Sequence, residues 1–467
     1  MAKTRFPTTA RARSLCSVEA TVTIRRRTGL ILVGIAGTLL VAMIFLVPIL
    51  LNADRYRSKV ISYLEEKTGK KVEIGRLAVT FFPGLAIHVD DFGVKSPPFF
   101  PPSYVVKVAR IDAQIDEWAL LRGQMMIKSL VVQQPAINLV SDPDGPWNFE
   151  NRQAKSSPST FLFGVFSRVE ITRGQVTVSN LLPSGAAGPV FFEAHDISSE
   201  LENVNVDAIA DPTSTTLDGQ GTLKAGLLRF GSIKARNLNS KIRLQARQVF
   251  FTDVKGEAYG GSATGELSIK LSGKNASFKT DVRMKGIEVA HLLATFSNAR
   301  GKMTGKMEGE LKIDGEIEHS LHPLKGLRGS GHLTVRNGQV PSLNLNANLM
   351  KLAHYNDLGP AKNDPSSFNL VSTDLELDHE RISSKVIDVD GYGVDVDGSG
   401  SVSLTGSDEV NYQAVAKIVS KQGFVTNLFA RLAGGTLKDG NLSFPFHIGG
   451  TVDNPVFSKG SKGQKVK

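Results

Sequence analysis

Residues 29–51, from Gly29 to Leu51, form a run of 23 residues without one charged side chain. A helix rises 1.5 Å per residue, so such a run crosses a hydrocarbon core of ~30 Å with a little tilt. A cleaved signal peptide is the rival reading, but its apolar region spans ~7–15 residues and ends at small residues. Here the run is longer, and Leu51-Asn52-Ala53 is a poor cleavage site. The sequence therefore predicts an uncleaved anchor that leaves 416 residues on one side of a membrane.

The flanks give the orientation. Residues 1–28 hold Lys3, Arg5, Arg11, Arg13, Arg25, Arg26 and Arg27 against the single acid Glu19. Cationic flanks stay on the cytoplasmic side, which sends the bulk of the chain across. Arg55, Arg57 and Lys59 weaken that asymmetry without reversing it. The formal charge of +10 sits at the two ends, +6 before the span and +4 in the tail 459–467, so everything between nets zero. A nucleic-acid binder needs a basic stripe on its folded surface, and this distribution argues against one. The tail reads as a solvated, disordered end. The one cysteine, Cys16, precedes the anchor, so no disulfide can hold the exported part. Its stability must come from burial and backbone pairing.

After the anchor, 54–67 has helical spacing. Tyr56, Val60, Tyr63 and Leu64 make one stripe, and Gly69 stands where a left-handed cap is wanted. From Lys71 the period becomes two, with short strands around Val72, Ile74, Leu77, Val79, Leu85, Ile87 and Val89. Residues 97–102, Pro-Pro-Phe-Phe-Pro-Pro, must be a loop. Strands follow around Val106, Val108, Ile111, Ile115 and 127–132, with a helical turn at 118–121. Asp142-Pro143-Asp144-Gly145 signals a turn, and 153–160 reads as a polar linker.

Between about 161 and 456 a loose unit recurs, glycine followed by alternating apolar positions. It appears at Gly221, Gly265, Gly309, Gly329, Gly331, Gly398, Gly400 and Gly440. Even spacing by turns predicts one long antiparallel meander, apolar on one face and polar on the other. Helical stretches are expected at 287–296, 343–358 and 424–432, the last able to plug an open end of the sheet or touch a membrane. The candidate interior positions are Ile242, Leu244, Leu267, Ile269, Leu333, Val335, Leu442, Phe444, Phe446 and Ile448. Alternation leaves two readings of them. They are ordinary sandwich core, which alternation alone favours, or they line a curled sheet that holds something apolar.

The residues also resemble a family, the AsmA-like envelope proteins of diderm bacteria. The opening pattern comprises Tyr56-Arg57, Leu64-Glu65, Thr68-Gly69-Lys70, Val72, Ile74 and Phe82-Pro83-Gly84-Leu85. It continues with Leu120-Leu121-Arg122-Gly123, Ile127, Leu130, Pro135, Asn138-Leu139, Asp144-Gly145 and Trp147-Asn148. A looser closing pattern comprises Gly435-Thr436, Asp439-Gly440, Pro445-Phe446, Ile448, Gly450-Thr451 and Asn454-Pro455. The resemblance implies a bacterial inner-membrane protein, single-pass, with its N-terminus cytoplasmic and a periplasmic β-domain similar to chorein-type, bridge-like lipid carriers. It further implies a link to outer-membrane biogenesis and phospholipid movement. The domain reading is then a basic arm (1–28), a transmembrane helix (29–51), a chorein-like region (52–150), a β-groove domain (151–458) and a basic tail (459–467).

Other motifs carry less. Residues 316–322 hold His319-x-x-His322 beside Glu316 and Glu318, but Pro323 follows and the segment reads as a connector. Asp388, Asp390, Asp395 and Asp397 hint at calcium, yet the glutamate of an EF-hand loop is absent, and a hairpin turning at 391–393 with aspartates outward explains the spacing. Gly398-Ser-Gly400 and Gly219-Gln-Gly221 lack the context of a nucleotide loop, and His88, His195 and His354 stand alone. No nucleophile and base can be proposed, so neither enzyme, metal nor cofactor is expected. The expected fold is mostly β, a transmembrane helix followed by a curled antiparallel groove with a few short helices. The expected role is a non-catalytic phospholipid carrier whose partners are phospholipid and the inner membrane, with outer-membrane or periplasmic proteins as further partners. The alternative is a scaffold or assembly factor that influences outer-membrane protein targeting.

Overall fold

A computed structural model describes residues 53–122, 126–142, 147–149, 166–206, 217–272, 275–295, 301–317, 326–345, 348–349, 367–391, 394–403, 409–419, 436–438, 441–452 and 454–460. The expected span at 29–51 lies outside them, and no helix among the described residues is long and apolar enough to cross a membrane. The same holds of the linker at 153–160, the His319/His322 segment and the helix at 424–432.

A 3-10 turn, Ala53–Tyr56, leads into α1 (Arg57–Thr68). Gly69 closes α1 in the left-handed region, φ 63°, and its N–H donates to Glu65 O at 2.8 Å. Polar contacts moor the helix. Asp54 accepts from Leu77 N at 3.3 Å, Glu65 accepts from Val72 N at 3.1 Å, and Arg57 donates to Gly75 O. The apolar stripe buries little, since Tyr56 and Tyr63 stay exposed.

Period-two segments then give β1 (Val72–Glu73), β2 (Arg76–Thr80), β3 (Ala86–Lys95) and β4 (Tyr104–Ile115), all antiparallel, with the proline-rich 97–102 as a turn. After α2 (Glu117–Leu121), β5 (Ile127–Gln133) and β6 (Ala136–Ser141) share one position in the sheet. Pro135, which has no N–H to give a ladder, breaks the strand between them. Both run parallel to β7 (Phe166–Leu181), which corrects the expectation of a purely antiparallel meander. Parallel pairing requires a long connection rather than a hairpin, and residues 142–165 supply its length.

The meander proper continues with β8 (Ala187–Val206), β9 (Leu217–Phe230), β10 (Ile233–Gln245), β11 (Gln248–Ala258), β12 (Gly261–Ser272) and β13 (Asn275–Glu288). The helix expected at 287–296 is shorter, α3 (Val289–Leu293), because β13 continues to Glu288. Then follow β14 (Lys306–Ile317), β15 (Arg328–Gln339), β16 (Ser367–Asp378), β17 (Arg381–Gly391), β18 (Val394–Ser403) and β19 (Val410–Val419). Beyond β19 lies β21 (Asn441–Gly450), whose outer side pairs with both β20 (Thr436–Lys438) and β22 (Pro455–Lys459). Lys459 thus closes the last strand. All 22 strands among the described residues belong to one sheet. At ~4.8 Å per spacing it measures roughly 90 Å across the strands.

Strand interiors carry left-handed residues at Asp91, Arg173, Asp196, Asn203, Asn237, Asp253 and Asn337, with φ between 50° and 53°. Register shifts flank several of them, for example Phe251/Val254 and Glu202/Asn205. Where the register shifts, beside Arg173, Asp196, Asn203, Asn237 and Asp253, these are bulges that bend the strand and raise its twist. Asn and Asp dominate because their short polar side chains tolerate φ > 0 better than other L residues. Repeated in strand after strand, they curl the sheet.

Candidate functional site

Residues directly opposite one another in a ladder project to the same face. Followed from strand to strand, the register draws one row across the molecule. It runs Val79–Ile87–Ala113–Leu130–Val169–Leu201–Gly221–Ile242–Phe251. It continues Leu267–Thr280–Ile313–Gly329–Leu377–Ile382–Val402–Val410. Apart from glycines, one alanine and Thr280, every member is a large hydrophobe. The adjacent row on the other face, Glu266–Asp281–Lys312–Ser330–Glu376–Ser383–Ser401–Asn411, is wholly polar.

Nine of the ten interior positions named from sequence occupy the apolar face. Ile242 and Leu267 lie in the row above. Leu244 and Ile269 join it through Val249, and Val335 pairs with Met307. Leu333 lies opposite Gly309, and Phe444, Phe446 and Ile448 lie opposite Ala416, Ala414 and Tyr412. Leu442 holds the corresponding register position opposite Ile418; its side chain is outside the described residues.

Their environments differ. Phe444 and Phe446 are 2% and 1% exposed, in a cluster closed by Leu349, and the Phe446 and Phe457 rings stack with centroids 6.0 Å apart. Val335 belongs to a second cluster, with Ile287 and Phe368, over which α3 lays Val289, Leu292 and Leu293. Ile242 belongs to a third, formed with Phe166, Leu201 and Val204, and packed by Leu244, Val249 and Phe251. Leu244, Leu267, Ile269, Leu333 and Ile448 are only half-buried. An open cleft of about 400 Å³ is centred on the stretch Phe251, Leu267, Thr280, Ile313 of the long row. Thr280 turns its hydroxyl to Glu266 O at 2.9 Å and so costs the face no unpaired donor.

The repeat glycines from Gly221 to Gly400 also lie on this face. A Cβ at Gly221 would stand 1.9 Å from Glu200 O, at Gly265 2.0 Å from Asp281 O, and at Gly309, with φ +152°, 2.1 Å from His332 O. Glycine is required there because neighbouring backbone fills the place of a side chain.

The opposite face is stitched by exposed ion pairs, among them Lys241–Asp253 at 2.7 Å and Arg336–Glu308 at 3.0 Å, and by the hydrogen-bonded pair His332–Asp374 at 2.7 Å. Exposed pairs contribute little each, and their consequence is a wettable surface and a defended register. The Asp388/Asp397 and Asp390/Asp395 pairs lie here as the hairpin reading expects, with Lys417 bonded to Asp397. The Asp397 carboxylate in turn holds the Lys417 ammonium above its usual range.

Two groups of residues were not assembled by the sequence reading. His88 is not alone, since Thr80 Oγ1 lies 2.9 Å from its Nε2 and Asp112 bonds its Nδ1. Asp112 also accepts from Arg110 Nε at 2.8 Å and Gln133 Nε2 at 3.1 Å. Three groups in such a series meet the reach of a nucleophile, base and orienter. Thr80, however, is exposed on the open polar face, where nothing shields it from solvent, and the network's evident effect is to tie β2 through β5 together. Second, Asn148 is fully buried, giving Nδ2 to Asn138 O at 2.9 Å and accepting from Val140 N at 3.1 Å, while Lys70 donates to its carbonyl at 3.0 Å. Burial holds the Lys70 ammonium below its ordinary range. Members of the opening pattern that are far apart in the chain, Lys70, Asn138 and Asn148, are thus one lock.

The sequence profile of the AsmA family matches residues 25–160 and 192–386, more than half of the chain. No curated protein and no solved structure matches it.

Proposed function

Given that this chain belongs to the AsmA family, we propose that it is an inner-membrane-anchored periplasmic protein of outer-membrane biogenesis that binds phospholipid acyl chains along the apolar face of its sheet and carries them passively. The observation that supports this best is the row from Val79 to Val410 on one sheet, apolar at every position but Thr280, with Leu244, Leu267, Ile269 and Leu333 only half-buried. A face of this kind left to water is costly, and each CH₂ it covers contributes ~0.8 kcal/mol. An aliphatic surface without charged side chains holds a lipid tail without specific polar contacts. The anchor is residues 29–51, with the basic arm in the cytoplasm.

The closed clusters around Phe446 and Ile287 favour a second reading, a scaffold that fills its own interior and influences outer-membrane protein targeting. Neighbouring residues on opposite faces separate the two. A photoreactive side chain at Ile269 in the full chain, in native membranes, crosslinks to radiolabelled phospholipid, and the same group at Ser268 does not. Crosslinks to protein alone from Ile269, or equal lipid labelling from both positions, would refute carriage.

A further inference from the structure

One end of the sheet carries an unusual concentration of exposed apolar side chains. Phe82 is 77% exposed and Trp118 73%, with Met126 at 39% beside them in the fold. They come from different segments brought to the same end. Phe82 lies between β2 and β3, Trp118 in α2 after β4, and Met126 just before β5. The ladder places those termini together, since Thr80 pairs with Ala86, Ala86 with Gln114, and Ile115 with Ile127. Glu117 fastens the group, accepting Leu85 N at 2.9 Å, and Asp116 N donates to Met126 O at 2.9 Å. Leu85 N is the first cause that holds the Glu117 carboxyl below its usual range. Asp116 is likewise engaged, accepting from Ala119 N at 2.9 Å. Arg122 and Lys128 are exposed at the margin.

The course of α1 says what covers this patch. Its C-terminal end lies by β1, where Val72 pairs with Val94, and its first residues lie by Gly75 and Leu77, opposite Asp90 and Val89. Followed backward, the chain travels along β3 toward Ala86, the end that bears Phe82 and Trp118. Ala53 is the first described residue, and the 23-residue apolar run ends two positions before it, at Leu51. The first described residues, which follow the apolar run in sequence, therefore lie toward the end of the sheet that bears the patch.

We propose that Phe82, Trp118 and Met126 form a foot that seats in the boundary layer of the bilayer, with Arg122 and Lys128 on its anionic headgroups. Trp and Phe suit that layer because one part of the site is apolar and the rest wet, and basic residues at the rim gain from anionic lipid. The foot holds the sheet at a fixed attitude to the membrane, which a single tether cannot do. This rests on the anchorage proposed above but not on lipid carriage, so the crosslinking result at Ile269 does not bear on it.

The chain has two tryptophans, and the other, Trp147, is 8% exposed. The full chain is reconstituted in vesicles of phosphatidylethanolamine and phosphatidylglycerol, with and without bromine on the acyl chains near the glycerol. Expected is a loss of tryptophan emission in brominated vesicles that disappears in Trp118→Phe, together with shielding of Trp118 from aqueous iodide. In chain that resists alkaline extraction, quenching of Trp118 by iodide but not by brominated lipid overturns the foot and leaves the anchor standing. Shielding from both quenchers overturns it in favour of a protein contact. A chain released by alkaline washing overturns foot and anchor together.

Discussion

Asp112 shows how a single side chain reports on the fold. Burial raises its pKa, but the hydrogen bonds from His88 and Arg110 outweigh that, and the carboxyl titrates below its ordinary range. A carboxyl whose folded pKa lies below the unfolded value of ~3.9 adds stability that is complete above that value and lost as pH falls through the folded one. The urea midpoint of the full chain in detergent should therefore drop further between about pH 5 and about pH 3 in the wild type than in Asp112→Asn. Equal drops would mean that Asp112 gains nothing from its partners. None of this was visible in sequence, where His88 stood isolated, because Thr80, His88, Arg110, Asp112 and Gln133 meet only through the register of β2 to β5. Asn237 and Asp253 were equally opaque. Nothing in their local sequence marks them, and their left-handed backbone lies beside register shifts between neighbouring strands.

Elements in this protein are limited by how closely they can approach. The glycine of each repeat was legible as punctuation before an alternating run, yet its reason is contact. A Cβ at Gly265 would sit 2.0 Å from Asp281 O on β13, and backbone cannot step aside as a flexible side chain does. Gly326 is the matched control, with nothing within 4 Å of its would-be Cβ and no positive φ. Gly265→Ala should cost ~1–3 kcal/mol, the range for overpacking, while Gly326→Ala should stay within about 0.5 kcal/mol. Chemical denaturation checks both, and equal costs would sink the account. Helix extents were the least legible feature. The apolar pattern at 287–296 suits a helix, but pairing of Ile287 with Met307 and Glu288 with Lys306 claims those residues for β13. Tertiary pairing there overrides a local preference.

The whole molecule is nearly one-dimensional. Apart from β5 and β6, which together lie between β4 and β7, and the edge strands shared by β3 and by β21, each strand pairs with its neighbours in sequence. Among the described residues, three hydrophobic clusters follow one another along the sheet in place of one centre, two of them sharing Val389 at their margins. Stability in such a body is a sum of local terms, as in repeat proteins. Phe446→Ala empties a site that is 1% exposed, against Ala414, Phe444 and Phe457, and a buried Phe→Ala typically costs ~3–5 kcal/mol. Hydrogen exchange in the full chain should accelerate in β17 to β22 and stay unchanged in β3 to β8. Uniform acceleration from end to end would show one cooperative unit instead.

Sequence alone determined the strand periodicity, the two-faced character of the strands and the proline-rich turn at 97–102, because side-chain direction alternates with a period of two whatever a strand pairs with and proline cannot serve a ladder. The lock made by Lys70, Asn138 and Asn148 was legible only as scattered members of a pattern. Tertiary structure alone decided that the apolar sets line up as one row from Val79 to Val410, that bulges curl the sheet, and that β5 and β6 run parallel to β7. Those features depend on register, and register is a relation between strands that the alternation within any single strand does not contain.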